Sequence, residues 1–434
     1  MHEPNAGFPD AQSPPVQRLR VAVVTETYPP EVNGVAMTLG RLVDGLLARG
    51  HAVQLVRPRQ AGDAVPRAAA TARLEEVLVP GLPIPHYRGL QFGLAGPGRL
   101  ARLWRGAPPD LVHVVTEGPL GWSAVSAARR LGLPLTSSFH TNFHAYSRHY
   151  GLRWLGAAIE RHLRGLHNRT AATLVPTRAL ALELADRGYA SLRVVARGVD
   201  TALYSPARRS AELRESWGVQ SGAPVVMYVG RLAAEKNIDE VLQAWRAIST
   251  RVPAARMVFV GDGPLRASLQ SDCPEAVFAG VQKGEALATH YASADLFLFP
   301  SLTETFGNVT SEALASGLCV LAYARAAAAE LIVDGVNGRT LAPGTPGAYA
   351  SAAAELVADP GRMSAMRAQA VASIAHLDWE RVHDAFASVL AEVVTRRALA
   401  AAALRPGAAA AGPCGSPSPD PGPRILRSPW ARRR

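Results

Sequence analysis

The stretch Val21-Ala22-Val23-Val24-Thr25-Glu26-Thr27-Tyr28-Pro29-Pro30 decides how this chain is read. Four apolar residues give way to polar and turn-forming ones, and Asn33-Gly34 follow. Leu39, Leu42, Val43, Leu46 and Leu47 then recur at helical spacing until Gly50 stops the pattern. His51–Val56 returns as an apolar run. Strand, loop, helix and strand in that order form the unit of a parallel sheet, whose neighbouring strands need a crossover between them.

The same order repeats outward along the chain. Strands are predicted at 111–115, 135–139, 173–175 and 192–196, with helices at 122–131, 152–166 and 178–187 between them. A second series starts at Pro224, with strands 225–229 and 256–260 flanking a helix over 238–248. Strand 296–299, a helix over 309–316 and strand 319–322 follow, and helical patterns at 347–358 and 379–395 close the pattern. Gly198, Asp200, Ser205 and Pro206 make 197–209 the natural linker. The expected fold class is therefore α/β, two doubly wound parallel-sheet domains facing across a cleft. The boundaries are a disordered 1–19, domains 20–197 and 198–378, a helix 379–400 that returns to the first domain, and a disordered basic tail 401–434.

A chain of 434 residues exceeds what one core usually organises. Its 48% hydrophobic and 19% charged residues exclude a disordered protein. No apolar run of about eighteen residues predicts a membrane span. Met1–Gln17 lacks the basic start and apolar stretch of a secretory signal, which predicts a cytoplasmic protein. Cys273, Cys319 and Cys414 are too scattered for a metal site or a disulfide framework, and Cys319 reads as a small core residue. Of the net charge of +11, +5 lies from Ala401 onward, where seven prolines and four glycines accompany six arginines. Such a tail serves nucleic acid and an anionic membrane equally.

Ligand residues in such a fold sit just after strands, and so do the unusual polar residues here. Ser301-Leu302-Thr303-Glu304-Thr305-Phe306-Gly307-Asn308-Val309-Thr310-Ser311-Glu312 leaves an apolar strand and enters a helix ended by Gly317. Asn308 is the expected N-cap. Backbone N–H groups around Phe306–Val309 would form an anion site, leaving Glu304 and Glu312 for sugar and ribose hydroxyls. The plainer reading is a helix start with acidic residues favoured by its dipole. Gly230-Arg231-Leu232-Ala233-Ala234-Glu235-Lys236-Asn237 holds one of only two lysines, Lys236 and Lys283. Arg231 and Lys236 would bind a diphosphate and stabilise it as a leaving group, or they are ordinary surface charges. His140, in Phe139-His140-Thr141-Asn142-Phe143, is a donor-sugar or acceptor contact, or a structural histidine. Gly34 permits close backbone approach to a phosphate, and no dinucleotide fingerprint accompanies it. The stretch 150–169, with Trp154, Arg153, Arg161, Arg164 and Arg169, reads as an amphipathic basic helix that either packs on the core or lies on anionic lipid.

Taken in order, these segments resemble the retaining glycosyltransferases of family four, which have the GT-B architecture, over roughly Arg20 to Arg396. The signature of two glutamates spaced by seven residues is Glu304 to Glu312, supported by Gly261-Asp262-Gly263 and Glu312-Ala313-Leu314-Ala315-Ser316-Gly317. Within the family, Glu26-Thr27-Tyr28-Pro29-Pro30, Thr116-Glu117-Gly118-Pro119-Leu120-Gly121, Phe139-His140-Thr141-Asn142-Phe143 and Arg197-Gly198-Val199-Asp200 are most similar to GDP-mannose-dependent alpha-mannosyltransferases and sulfolipid synthases.

The resemblance implies a nucleotide-sugar donor, a lipid or glycolipid acceptor, no cofactor and no metal. It implies that Arg231 and Lys236 bind the donor diphosphate, Glu304 the transferred sugar and Glu312 the ribose. Gly34, Gly261, Gly263, Val281, Phe306, Gly307, Asn308 and Val309 would complete the donor site, with His140 near the sugar and Tyr28, Glu117 and Asn142 on the acceptor side. It also places the final helix across the first domain. The stretch Tyr323-Ala324-Arg325 and the alanines through Ala329 depart from the family pattern. An epimerase or hydrolase sharing the donor site is the alternative enzyme class. A nucleic-acid partner is not expected, because carboxylates at the site would repel phosphates unless they meet hydroxyls. Attachment to the inner face of an anionic cell membrane is the expected setting.

Overall fold

The computed structural model describes residues 18–31, 33–60, 63, 73–84, 91–140 and 156–403. Strands β1 (Arg20–Val24), β2 (Ala52–Pro58) and β3 (Leu74–Val79) begin the chain, followed by a small antiparallel hairpin of β4 (Gly81–Pro83) and β5 (Gln91–Gly93). β6 (Leu111–Val114), β7 (Leu135–Ser138), β8 (Ala172–Val175) and β9 (Leu192–Val194) complete a parallel sheet in the order β3-β2-β1-β6-β7-β8-β9. A second parallel sheet is built from β10 (Val225–Val229), β11 (Arg256–Val260), β12 (Val277–Gly280), β13 (Leu296–Phe299), β14 (Cys319–Tyr323) and β15 (Arg339–Leu341) in the order β12-β11-β10-β13-β14-β15. Each sheet reverses its winding once, beside β1 and beside β10, and a crevice opens beyond the strand ends at each reversal.

The sequence explains these elements locally. β10, Val-Val-Met-Tyr-Val, is buried at every position, as expected of a strand covered on both faces by helices. In the helix Gly34–Ala48 the Asn33 side chain accepts from the N–H groups of Val35 and Ala36, so the loop after β1 ends where its orphan donors are satisfied. β3 and β12 escaped the sequence reading: Leu-Glu-Glu-Val-Leu-Val and Val-Phe-Ala-Gly are only partly buried, because both lie at sheet edges. The helix Pro360–Ser373 escaped it as well. Cys273 and Cys319 are buried, and Cys319 lies in the second core, as read.

The closing helix, Trp379–Ala403, continues three residues into the stretch assigned to the tail. Val382, Phe386, Leu390 and Val393 bury themselves with Leu19, Val21, Leu39 and Val43 of the first domain. Gly198 allows the crossing, since a Cβ there would lie 2.6 Å from the Trp379 ring. Arg49 clamps the junction through Glu380 at 2.9 Å and Asp384 at 2.7 Å. Met1–Gln17, Asn142, Phe143, residues 150–155 with Arg153 and Trp154, Cys414 and the basic tail from 404 lie outside the described residues.

Candidate functional site

Beyond β13 the chain runs through Pro300 and Ser301 to the helix Asn308–Ala315. Gly307, at φ 85°, is the N-cap and Asn308 is the first helical residue, which corrects the expected cap by one position. A left-handed turn suits glycine, and an added Cβ would also press Phe299 at 3.2 Å. The Asn308 side chain is thereby free of capping and accepts instead from Arg197 Nη1 at 3.4 Å.

Glu304 Oε1 accepts from Lys236 Nζ and from Ser301 Oγ, the latter at 3.0 Å. The two loops are stitched further by Thr303 Oγ1 donating to Glu235 O at 3.0 Å and by Asn237 Nδ2 donating to Pro300 O at 3.3 Å. Lys236 stands on a single turn after β10, and Asn237, at φ 57°, redirects the chain into the helix Ile238–Arg251. Arg231 is half exposed and pairs with Glu235 at 3.1 Å. Two segments more than sixty residues apart thus bring both cations and Glu304 to the ends of adjacent strands β10 and β13.

Gly261 and Gly263 also serve the backbone packing of their own loop. Gly261 has φ 137°, and a Cβ there would lie 2.0 Å from Gly230 O; at Gly263 it would lie 2.3 Å from Leu232 O. Leu232 N donates to Asp262 O at 3.0 Å, so the two glycines let this loop lie backbone to backbone on the segment that carries Arg231.

Glu312, in the second turn of its helix, accepts from Tyr291 OH at 3.1 Å and also bonds the Tyr204 hydroxyl. Burial pushes its carboxyl up to about 7, against the pull of the two tyrosine hydroxyls. Of the residues expected at the nucleobase, Val281 is exposed and Glu285 pairs with Arg208 at 3.4 Å.

The first domain faces this loop directly. Thr305 Oγ1 donates to His140 O at 2.8 Å, and His140 Nδ1 lies 3.2 Å from Arg197 Nη2. Burial, reinforced by the Arg197 charge, holds the His140 imidazole well below its usual range and hence neutral at pH 7. Phe306 is buried under the Arg197 guanidinium, 5.7 Å from its ring centroid. Gly34 is adjacent, since a Cβ there would sit 3.8 Å from Arg197 Nη1. Val309 is partly buried beside the second core. Tyr28 is buried in the first core, and Glu117 is buried with Oε1 3.4 Å from His167 Nε2.

Sequence reasoning assigned no role to Arg197, Tyr204 or Tyr291. Arg197 and Tyr204 sit at the start of the linker, where turn residues dominated the reading. Each meets a partner about a hundred residues away, which no local pattern encodes.

Cations beside a carboxylate, a helix N-terminus and a tyrosine-braced second carboxylate suit a ligand that joins an anion to hydroxyl-bearing sugars. The comparisons agree. The family description "Glycosyltransferase Family 4" matches residues 32–203 and "Glycosyl transferases group 1" matches residues 223–359. A GDP-mannose-dependent alpha-mannosyltransferase of Corynebacterium glutamicum is 34% identical over 84% of this chain and 87% of its own. Sulfoquinovosyl transferase SQD2 of Arabidopsis thaliana is 32% identical over 59% of this chain and 51% of its own. Among solved structures, the sucrose-phosphate synthase of Thermosynechococcus elongatus superposes with TM-score 0.71 at 18% identity, covering 88% of this chain and 100% of that one. The chain belongs to glycosyltransferase family four, is a hexosyltransferase, and has the GT-B architecture that its two facing sheets display.

Proposed function

We propose that this enzyme transfers mannose from GDP-mannose to a lipid-borne or glycolipid acceptor, with retention of anomeric configuration. The observation that carries the reading is the Lys236–Glu304 pair on adjacent strand ends, facing His140 across the cleft through Thr305. Glu304 would orient the transferred sugar through its hydroxyls. Arg231 and Lys236 would hold the diphosphate and take its growing charge as the sugar–oxygen bond breaks. The acceptor hydroxyl attacks from the face that the nucleotide leaves, and its proton passes to the departing phosphate. Glu312 would bind the ribose. These cations supply the charge that a metal supplies elsewhere, so transfer is expected to be unchanged by a chelator.

The likeness to a sulfoquinovosyl transferase favours one second reading, transfer from a UDP-sugar to diacylglycerol. Thermal melting with GDP-mannose, UDP-glucose and UDP-sulfoquinovose separates the two, because the bound donor raises the transition. Stabilisation by GDP-mannose alone supports the first, and stabilisation by the UDP-sugars alone replaces it with the second. If nucleoside diphosphate is released equally without acceptor, the enzyme is a hydrolase instead.

Among the described residues no helix is long and apolar enough to cross a membrane. We propose peripheral attachment to an anionic membrane at the inner face of the cell membrane, through the basic stretch 150–169, whose described helix Gly156–His167 carries Arg161 and Arg164. Failure to sediment with phosphatidylglycerol vesicles at low salt would remove this placement.

A further inference from the structure

Among the described residues Arg197 is a buried cation with no ion-pair partner. It leaves β9 on the connection to the second domain and is 7% exposed. Its Nη2 meets His140 Nδ1 at 3.2 Å, its Nη1 meets Asn308 Oδ1 at 3.4 Å, and its plane covers Phe306. Its Nε has no hydrogen-bond partner among the described residues. All three neighbours are neutral. Among the described residues no carboxylate forms an ion pair with Arg197, and Glu304, the acid whose charge it feels, is already bonded to Lys236. Arg231 likewise has Glu235. Of the three cations at the site, Arg197 is the one with no paired carboxylate among the described residues, a costly state for a buried guanidinium.

Two helix N-termini abut it. Asn308 is the first residue of the helix Asn308–Ala315, and Gly34, beside Nη1, is the first of the helix Gly34–Ala48. Both ends carry partial positive charge. Three positive elements meeting at one buried point, with no carboxylate paired to it among the described residues, define a place for an anion, and a sugar hydroxyl would not neutralise it.

We propose that Arg197 binds a phosphate oxygen of the donor's diphosphate, the group that departs during transfer. The proposal rests on the function inferred above and adds a cation from the interdomain connection to Arg231 and Lys236. As the bond between the sugar's anomeric carbon and the phosphate oxygen breaks, the electron pair stays on that oxygen beside the guanidinium. The acceptor oxygen forms the new bond to the anomeric carbon, and its proton goes to the departing phosphate. Because Arg197 touches His140 on one domain and Asn308 on the other, the diphosphate is held where the two domains meet.

The test compares Arg197→Ala and Arg197→Lys with the wild type and with Lys236→Ala. Calorimetry measures binding of whichever nucleoside diphosphate the wild type takes, GDP or UDP, and of the corresponding nucleoside. Arg197→Ala should weaken the diphosphate by about tenfold to a hundredfold, the scale of one charge-assisted hydrogen bond, and leave the nucleoside unchanged. Turnover should fall about a hundredfold or more and recover in part with millimolar guanidinium ion. Arg197→Lys should keep an intermediate affinity. Equal weakening of nucleoside and diphosphate would show a merely structural residue and overturn the proposal. So would diphosphate binding within about twofold of wild type while Lys236→Ala loses it, and that outcome leaves the parent reading intact. If the wild type binds neither diphosphate, the parent reading fails and this inference falls with it.

Discussion

Replacing Glu312 by Gln should make the ligand-free enzyme more stable and the donor complex weaker, and the first effect should depend on pH. The Glu312 carboxyl is pushed up to about 7 from an ordinary 4.5, because burial disfavours its charge more than Tyr291 and Tyr204 favour it. Between those two values the folded protein holds a proton that the unfolded chain has released, so stability falls as pH rises through that window. Above about 7 the carboxylate is charged in both states and the fold bears the whole cost. The difference between 4.5 and about 7 corresponds to about 3 kcal/mol. That is a ceiling, because the side chain keeps a partly exposed edge. Gln keeps the shape and one acceptor oxygen for the tyrosine hydroxyls but carries no charge. Melting of the two ligand-free proteins should therefore coincide near pH 4.5 and diverge by several degrees near pH 8, since ~1 kcal/mol moves a domain of this size by roughly 2–4 °C. Donor nucleotide should raise the wild-type transition and raise that of Glu312→Gln much less. A melting difference that is constant with pH, or a wild type more stable than the variant at pH 8, would refute the reasoning.

Lys236→Ala and Glu304→Ala should each lower turnover by about a hundredfold or more in a product assay, the usual scale for one preorganised charged contact. Their double variant should lose less than the sum of the single losses, because the two side chains bond each other. Gly261→Ala should destabilise the second domain, measured by urea unfolding, since φ 137° and a contact of 2.0 Å with Gly230 O leave no room for a Cβ. Phe386→Ala should cost about 3–5 kcal/mol in the same assay by hollowing the seat of the closing helix. Transfer should persist in EDTA, measured by product formation from purified enzyme; a loss restored by a divalent cation would overturn the metal-independent reading.

Much of the fold could be read from the chain alone. β10, β11 and β13 stand in the sequence as short apolar runs bounded by glycine or proline, and the structure starts and ends them where those runs do. A strand buried on both faces has to be apolar throughout, so its signal is local. The edge strands β3 and β12 lacked that signal because one side of each meets solvent. The segments bearing Glu304, Glu312, Arg231 and Lys236 were legible for a related reason: polar residues straight after an apolar strand have only the crevice to face.

Pairing was decided by tertiary structure. Nothing in the spacing said that Lys236 bonds Glu304, that Tyr204 and Tyr291 brace Glu312, or that Gly261 is small for the sake of Gly230. Nor did it say that Arg197 reaches His140 and Asn308 at once. These contacts join residues from about twenty to more than a hundred positions apart, brought together by the winding of two sheets and by the closing helix. Apolar periodicity specifies which face is buried. Which charge meets which is settled only when the strand ends are set side by side.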